Sequence, residues 1–282
     1  MKHLLSLRDL SADDLRAILD LSAAPPEPVL AGKGVALYFE KPSARTRNSM
    51  ELAVAQLGGH PVYLQPQEIG IGTRESVEDV TRTLACYHGV IAARVFDHAL
   101  LEGMAALDAA PVLNMLSGTD HPLQALADLV TIQQLCGRVE GVRVAYVGDG
   151  NNNVARSLAE GCALLSAELT IAAPPGYELA DAPAGTRHVG DPAEAVANAD
   201  IVYTDVWVSM GQDGEAEIRR ADCSPYQVNE ALMARAPQAW FLHCLPARRG
   251  EEVTAGVIDG PRSAVWRQAE NRMHSARGAL QW

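Results

Sequence analysis

The sequence predicts an α/β protein with two domains, each a parallel sheet flanked by helices, joined by interdomain helices. Short apolar runs alternate with helical patterns along the chain, and this alternation is typical of parallel sheets. The 282 residues correspond to two domains of roughly 150 residues each. With 48% apolar and 21% charged residues, the chain can bury a substantial core in each domain.

The first half of the chain opens with an amphipathic helix that begins at Ser11. The apolar runs that we predict as strands cover residues 34–39, 59–64, 90–93 and 111–114. The helical patterns between and after them cover residues 43–57, 76–88, 100–107 and 121–136. We therefore expect a first domain over residues 1–136.

The second half repeats the alternation beyond a boundary near Gly137 to Gly141. Its predicted strands cover residues 142–147, 168–172, 186–188, 200–204 and 240–243, with a helix over 154–164. We expect a second domain over residues 137–268, and a last helix over 269–282 that packs back on the first domain.

Composition excludes several classes of protein. Thirty-five acidic residues outnumber 23 Lys and Arg, giving a net charge of −12, which argues against nucleic acid as a partner. No apolar run reaches about 18 residues and the N-terminus has no signal-peptide core, so we expect no membrane association. Five cysteines without CxxC spacing favour the cytoplasm over a secreted disulfide framework or a structural zinc site.

The segment Phe39-Glu-Lys-Pro-Ser-Ala-Arg-Thr-Arg47 joins a strand end to a helix start. Ser43 and Thr46 supply hydroxyls, and Arg45 and Arg47 supply guanidinium groups beside the free N–H groups of the helix. A capped, solvated helix end is the alternative, but it leaves two arginines and one hydroxyl without a role. The segment favours a phosphate or carboxylate site.

The segment His121-Pro-Leu-Gln124 begins the longest helix of the first half. Proline at the first helical position makes His121 a cap and places Gln124 one turn inward at the same end. Imidazole and carboxamide groups suit a planar amide or carbamoyl group, although helix capping alone also explains the pattern.

The turn Gly148-Asp-Gly-Asn-Asn-Asn153 follows a strand and opens a helix. Its spacing departs from the dinucleotide-binding GxGxxG pattern at Asn153, and the next strand ends at Ala172 without the acid that binds ribose. A nicotinamide cofactor is therefore disfavoured. Asparagine side chains suit the carboxylate of a small ligand, and an Asn-rich turn without a ligand remains the alternative.

Two further strand ends carry Asp205 and Cys244. A lone carboxylate after an apolar strand is costly unless it meets a cation such as a ligand ammonium group. Cys244 is a candidate nucleophile, but no cysteine-protease signature surrounds it, and a buried thiol used for packing is the alternative.

Together these motifs resemble the aspartate/ornithine carbamoyltransferase superfamily, over almost the whole chain from about residue 5 to residue 280. The order and spacing of six segments carry the resemblance: FEKPSARTR at 39–47, HPLQ at 121–124, GDGNNN at 148–153, DVWVSMG at 205–211, HCLP at 243–246 and AENRMH at 269–274.

The resemblance implies which residues bind which substrate. The expected carbamoyl phosphate site consists of Ser43, Ala44, Arg45, Thr46, Arg47, Arg94, His121, Gln124, Cys244, Leu245 and Arg272. The expected ornithine site consists of Asn153, Asp205, Ser209 and Met210. The expected catalytic residues are Arg45, His121, Asp205 and Cys244. No metal or organic cofactor is implied.

The implied reaction transfers the carbamoyl group to the side-chain amine of L-ornithine, giving L-citrulline and phosphate for arginine biosynthesis. A sibling that uses putrescine, N-acylated ornithine or aspartate is the nearest alternative, and the Ser-Met-Gly turn at 209–211 resembles the ornithine-using members. An NAD-linked oxidoreductase and a catalytically silent binding partner are more remote alternatives. The family resemblance also implies a homotrimer with shared active sites.

The chain departs from the family pattern at three places. Ala44 replaces a common threonine, and Gly70 replaces a glutamine that often reaches a neighbouring subunit's site. The stretch between Pro175 and Asp191 is also shorter than expected. The first two changes affect expected ligand contacts, whereas the third lies outside the motifs.

Overall fold

A computed structural model describes residues 1–208 and 212–282. It contains two compact units. The first unit comprises Met1–Ala127 and Asn271–Trp282, and the second comprises Asp128–Glu270. The division after Ala127 falls within the helix Pro122–Cys136. The predicted boundary at residue 137 lies one residue beyond the end of that helix.

The first unit contains four parallel strands with helices between them. Its elements are α1 (Ala12–Ala23), β1 (Gly34–Phe39), α2 (Ala44–Gln56), β2 (His60–Leu64), α3 (Pro66–Ile69), α4 (Val77–Tyr87), β3 (His88–Arg94), α5 (His98–Ala106) and β4 (Val112–Leu116). Helix α6 (Pro122–Cys136) begins in this unit. Strands pair in the order β2-β1-β3-β4.

The second unit contains five parallel strands in the order β7-β6-β5-β8-β9. Its elements are β5 (Arg143–Val147), α7 (Asn153–Leu164), β6 (Glu168–Ala172), β7 (Arg187–Val189), α8 (Pro192–Val196), β8 (Ile201–Thr204), α9 (Ala216–Cys223), α10 (Glu230–Met233), β9 (Trp240–His243), α11 (Ala255–Ile258) and α12 (Val265–Gln281). Helices α6 and α12 each contain residues of both units.

These two parallel sheets confirm the predicted fold class. Local chemistry explains the elements that the sequence identified. Ser11 caps α1 reciprocally with Asp14, and β1 is buried at all but its first residue. The last helix begins at Val265, four residues before the predicted start, because the buried Val265 and Gln268 already belong to its packed face.

Each sheet has a switch point where the strand order reverses, and ligands of open parallel sheets bind there, beyond the carboxyl ends of the strands. In the first unit the switch lies between β1 and β3, which end at Phe39 and Arg94. In the second unit it lies between β5 and β8, which end at Val147 and Thr204. The predicted motifs follow these strand ends. Among the described residues no helix is long and apolar enough to cross a bilayer.

Candidate active site

The switch point of the first unit places an open helix end beside two arginines. Ser43 caps α2, accepting the N–H of Thr46 at 3.3 Å and donating its hydroxyl hydrogen to Thr46 Oγ1 at 3.2 Å. Ala44 and Arg45 begin the helix and are exposed. The start of α2 therefore presents N–H groups, a hydroxyl and a guanidinium to one side.

Arg94 ends β3 and faces the same helix start. Its Nη1 donates to Thr46 Oγ1 at 3.3 Å, and its buried Nε has no hydrogen-bond partner among the described residues. Burial, and after it the charge of Arg45, lowers the pKa of Arg94 to about 10. A buried donor with its capacity unused, next to a second cation, is suited to an anionic ligand.

His121 lies directly before α6 and is buried, with 7% of its surface exposed. Burial is the main reason why the pKa of His121 lies well below 6.5. Three cations lower it further, in the order Arg272, Arg94 and Arg45. His121 is therefore a neutral imidazole within a positive cluster, and Gln124, also buried, follows on the first turn of the same helix.

Arg47 has other partners. Its Nε donates to Glu51 Oε1 at 2.7 Å, and its guanidinium carbon lies 3.9 Å from the centroid of the Tyr63 ring. Both partners hold Arg47 on the solvent-exposed part of α2, whereas Arg45, Thr46 and Arg94 form the cluster described above.

The turn after β5 is built around asparagines and a buried ion pair. Asn152 caps α7 by accepting the N–H groups of Val154 and Ala155 at 2.9 Å. Asp149 accepts a bond from Arg219 Nη1 at 2.9 Å, although burial still raises the pKa of Asp149. Asn153, the predicted ligand residue, is the first residue of α7 and is half-buried.

Gly150 in this turn has no room for a side chain. A Cβ atom there would lie 2.7 Å from Ile171 Cγ2 and 2.9 Å from the Tyr177 carbonyl oxygen. The glycine thus serves close packing of the turn against β6, which is one of the roles expected for this motif.

Asp205 and Cys244 meet beyond the ends of β8 and β9. Cys244 Sγ donates to Asp205 Oδ1 at 3.0 Å, and the Val206 N–H donates to the same oxygen at 2.8 Å. Asp205 is 6% exposed, and burial raises its pKa despite these two bonds. This buried carboxylate suits a cationic ligand group, whose charge would offset the cost of burial.

His243 is the last residue of β9 and positions the turn that follows it. Its Nδ1 accepts the Leu245 N–H at 2.9 Å, so Nε2 carries the proton and donates to Glu252 Oε1 at 3.0 Å. His243 and Glu252 are both fully buried. Leu245 has a φ of 59°, a left-handed conformation that a leucine adopts only where its surroundings enforce it.

The ligating atoms of Asp205, His243 and Cys244 lie within 4.8 Å of one another, a spacing that a metal ion could accept. Both ring nitrogens of His243 are already used, by Leu245 and Glu252. The imidazole is therefore oriented by the protein itself and would have to break one of these bonds to bind a metal.

Sequence reasoning located most of the strand-end residues but missed His243, Glu252 and Gln268. The sequence signal for His243 was its place in the HCLP segment, whereas nothing local marks Glu252 or Gln268. Ser209 and Met210, the remaining predicted ornithine-site residues, lie outside the described residues.

Comparison with known proteins gives the same family for both halves of the chain. Residues 2–134 match the family described as aspartate/ornithine carbamoyltransferase, carbamoyl-P binding domain. Residues 140–282 match the aspartate/ornithine carbamoyltransferase, Asp/Orn binding domain.

Individual relatives match over nearly their full lengths. Ornithine carbamoyltransferase of Hyperthermus butylicus is 47% identical over 99% of this chain and 96% of its own. The enzyme of the same name from Bacillus subtilis is 46% identical over 99% of this chain and 92% of its own. The solved structure of ornithine carbamoyltransferase from Pyrococcus furiosus superposes with a TM-score of 0.93 at 44% identity, covering 99% of this chain and 96% of that one.

Proposed function

The chain belongs to the aspartate/ornithine carbamoyltransferase family, and from that premise we propose that its two strand-end clusters bind carbamoyl phosphate and L-ornithine. It is an enzyme that transfers the carbamoyl group of carbamoyl phosphate to the side-chain amine of L-ornithine, producing L-citrulline and phosphate. The observation that best supports our assignment of the sites is their opposite charge: a cluster of guanidinium groups around His121 in one unit and a buried carboxylate in the other.

The phosphate end is assigned to the start of α2 and the end of β3. Ser43, Thr46 and the Ala44 N–H bind phosphate oxygens, and Arg45 and Arg94 neutralise their charge. This assignment uses the Nε of Arg94, which has no hydrogen-bond partner among the described residues, and the backbone N–H groups at the start of α2.

The carbamoyl end is assigned to His121, Gln124 and Arg272 of the first unit, and the family resemblance also implies Cys244 and Leu245 as carbamoyl phosphate residues. A neutral His121 donates a hydrogen bond to the carbonyl oxygen without adding charge to a cluster that already holds three guanidinium groups. Arg45, Thr46 and His121 then stabilise the oxyanion that develops, each donor contributing about 3 to 4 kcal/mol.

The ornithine end is assigned to Asp205, Asn153, Ser209 and Met210. The α-ammonium group of ornithine pairs with Asp205, and this pairing offsets the cost of the buried carboxylate. Cys244, whose thiol donates to Asp205, orients that carboxylate and helps to position the reacting amine.

The reaction then balances without a cofactor. The neutral side-chain amine of ornithine attacks the carbonyl carbon, and a tetrahedral intermediate forms with its charge on the carbonyl oxygen. The bond from carbon to the phosphate oxygen breaks, phosphate leaves with the electron pair, and it accepts the proton that nitrogen loses.

A direct assay tests this function. Purified protein is incubated with carbamoyl phosphate and, separately, with ornithine, putrescine, N-acetylornithine or aspartate, and ureido product is measured. We expect product with ornithine and less than about one hundredth of that rate with the other amines, since each lacks a charged group that the site recognises or carries a further one. Product chiefly from another amine would overturn the ornithine assignment.

We also propose a homotrimer with shared active sites, located in the cytoplasm. All five cysteines are thiols, which suits a reducing compartment. The segment 67–76 is largely exposed and contains Arg74. Arg74 Nη2 donates to the Glu68 carbonyl oxygen at 2.8 Å and to Glu75 Oε1 at 3.2 Å. Because Gly70 has no side chain to reach a neighbouring site, we assign that role to Arg74.

Mixed subunits test the shared site. We expect Arg45→Ala and Arg74→Ala to be inactive separately and to regain part of the activity when subunits are dissociated, mixed and reassembled. Sedimentation establishes the mass of the active species. Full activity in a monomer, or unchanged kinetics in Arg74→Ala, would contradict the proposal.

A further inference from the structure

A connected network of buried polar groups lies next to the ends of β8 and β9. Its members are Asp128, Tyr203, His243 and Gln268, each exposed by 1% or less. Gln268 lies at the centre: its Oε1 accepts the His243 N–H at 2.9 Å, and its Nε2 donates to Asp128 Oδ1 at 2.7 Å.

Tyr203 closes the network from the neighbouring strand. Its hydroxyl donates to Asp128 Oδ2 at 3.1 Å and accepts from Gln268 Nε2 at 3.2 Å. Its ring stacks on Tyr146 with a centroid distance of 5.5 Å. The Asp128 carboxylate and the Gln268 amide therefore bind both β8, through Tyr203, and β9, through His243. These bonds hold the two adjacent strands in register.

The strand register connects this network to Asp205 and Cys244. Strand β8 pairs with β9 so that Thr204 lies opposite His243, and Asp205 and Cys244 are the next residues on their strands. The network fixes each strand within two residues of these side chains. The 3.0 Å bond from Cys244 Sγ to Asp205 Oδ1 depends on that register.

We propose that Gln268, itself held by Asp128, is a positioning residue that sets the geometry of the Cys244–Asp205 pair. This inference rests on the proposed function, because that pair is the assigned ornithine and carbamoyl site. Gln268 acts through the His243 N–H, and His243 in turn fixes the Leu245 N–H and Glu252.

The chemistry of the network supports a positioning role over a role in packing. Apolar side chains fill a buried site of this size without the desolvation cost of a carboxylate and an amide. A fully satisfied polar network instead specifies one arrangement, because any shift leaves a buried donor or acceptor without a partner. A fixed strand register is such an arrangement.

The first test measures Cys244 directly, without substrate. In a Cys86→Ser, Cys136→Ser background the other two cysteines are buried, so alkylation by iodoacetamide reports on Cys244. We expect Gln268→Leu to raise the alkylation rate by about threefold or more, since loss of the His243 acceptor releases the thiol from Asp205. Tyr203→Phe removes one hydroxyl and should raise the rate by a smaller factor.

The second test separates kinetic constants. We expect Gln268→Leu to reduce kcat/KM for ornithine by about 10- to 100-fold, as displaced catalytic groups do, and to change the Kd for inorganic phosphate, whose assigned site lies in the first unit, by less than about twofold. Gln281→Leu is the matched control, because Gln281 lies on the same helix and uses its amide at Leu21 and Glu27.

Exchanging the amide of Gln268 and the carboxylate of Asp128 should restore activity that Gln268→Glu alone loses. Gln268→Glu alone places a carboxylate against Asp128 and should resemble Gln268→Leu. Gln268→Glu keeps an acceptor for the His243 N–H, and Asp128→Asn supplies an amide donor to the new carboxylate, so the double variant should recover activity by at least about fivefold over Gln268→Glu.

The outcomes distinguish this inference from the proposed function. A folded Gln268→Leu variant with wild-type alkylation and kinetics would overturn the positioning role even if citrulline forms normally. An altered alkylation rate together with rescue by the exchange would support that role, even in a wild-type protein that carbamoylates a different amine.

Discussion

The strand-end clusters of the two units solve opposite electrostatic problems. The first unit gathers Arg45, Arg94 and Arg272 around a neutral His121 and leaves the Nε–H of Arg94 without a hydrogen-bond partner among the described residues. The second unit buries Asp205 after an apolar strand and satisfies it with a thiol and a backbone N–H.

Each cluster has an unfavourable electrostatic energy that a ligand of the opposite charge would reduce. Under the proposed assignment, a bound phosphate dianion would relieve the repulsion among the cations of the first unit. A bound ammonium group would likewise offset the cost of the buried Asp205 carboxylate. Each site is thus arranged in advance for a ligand of one charge, which is the arrangement that electrostatic catalysis requires.

Removing one cation from the first unit should have the largest effect. We expect Arg45→Ala to reduce kcat by about 10² to 10³, because the guanidinium serves both the phosphate and the developing oxyanion. Steady-state kinetics measure the loss, and circular dichroism verifies the fold. Arg82→Ala, at an exposed position of α4, is the matched control. A kcat within a few-fold of wild type would remove Arg45 from the assigned site.

Neutralising the Asp205 carboxylate of the second unit should have the second-largest effect. We expect Asp205→Asn to raise the KM for ornithine by about 30-fold or more, as expected when a buried charge loses its partner, and to leave the KM for carbamoyl phosphate nearly unchanged. An amide oxygen still accepts the bonds from Cys244 and Val206. Equal losses for both substrates would identify Asp205 as structural.

The same substitution should stabilise the protein without substrate. The pKa of Asp205 is raised by burial, so its ionised form costs stability at neutral pH, and this cost disappears as the pH falls through the raised value toward 3.8. Asp200 has the opposite shift, since its bond with Arg143 lowers its pKa. We therefore expect Tm at pH 7 to rise in Asp205→Asn and to fall in Asp200→Asn, measured by calorimetry. A Tm change of the same sign in both variants would contradict the opposite pKa shifts of Asp205 and Asp200.

Much of the first cluster could be predicted from sequence because its residues are local. Ser43, Arg45 and Thr46 lie within four positions, and strand β1 and helix α2 that flank them have clear patterns. The second cluster depends on residues far apart in the chain. The amide that supports His243 belongs to Gln268, 25 positions away, and no local pattern indicates that contact.

Arg272 and Arg47 illustrate the same limit within the first unit. The resemblance implied both as ligand residues, but only a folded chain shows which side chains share a cluster. The charge of Arg272 lowers the pKa of His121, whereas Arg47 contacts Glu51 and Tyr63. Sequence spacing places two arginines on one helix start without revealing that they point to different partners.

The protonation state of His121 reports on the charge of the first cluster. We expect its ring signals in NMR spectra to show no titration near pH 6.5, because burial and three cations hold its pKa well below that value. Below pH 6.5 His121 binds a proton in the unfolded chain but not in the folded chain. Its contribution therefore lowers the free energy of unfolding as the pH falls. His121→Gln assigns the signal.

Adding inorganic phosphate should raise the pKa of His121, because the anion offsets the nearby guanidinium charges. The shift should vanish in Arg45→Ala if phosphate no longer binds beside His121. A His121 signal that titrates normally, or one that ignores phosphate in the wild-type protein, would separate His121 from the cationic cluster.

The smallest effect is expected at Arg47, which carries the same charge as Arg45 two positions away. Its ion pair with Glu51 and its contact with Tyr63 lie on an exposed surface, where such pairs contribute little. We expect Arg47→Ala to change both kinetic constants for carbamoyl phosphate by less than about threefold and to lower Tm slightly. Glu51→Gln, which removes the partner and keeps Arg47, should behave in the same way. A tenfold rise in the KM for carbamoyl phosphate in Arg47→Ala alone would instead place this arginine in the anion site, and the two units would then differ by one more cation.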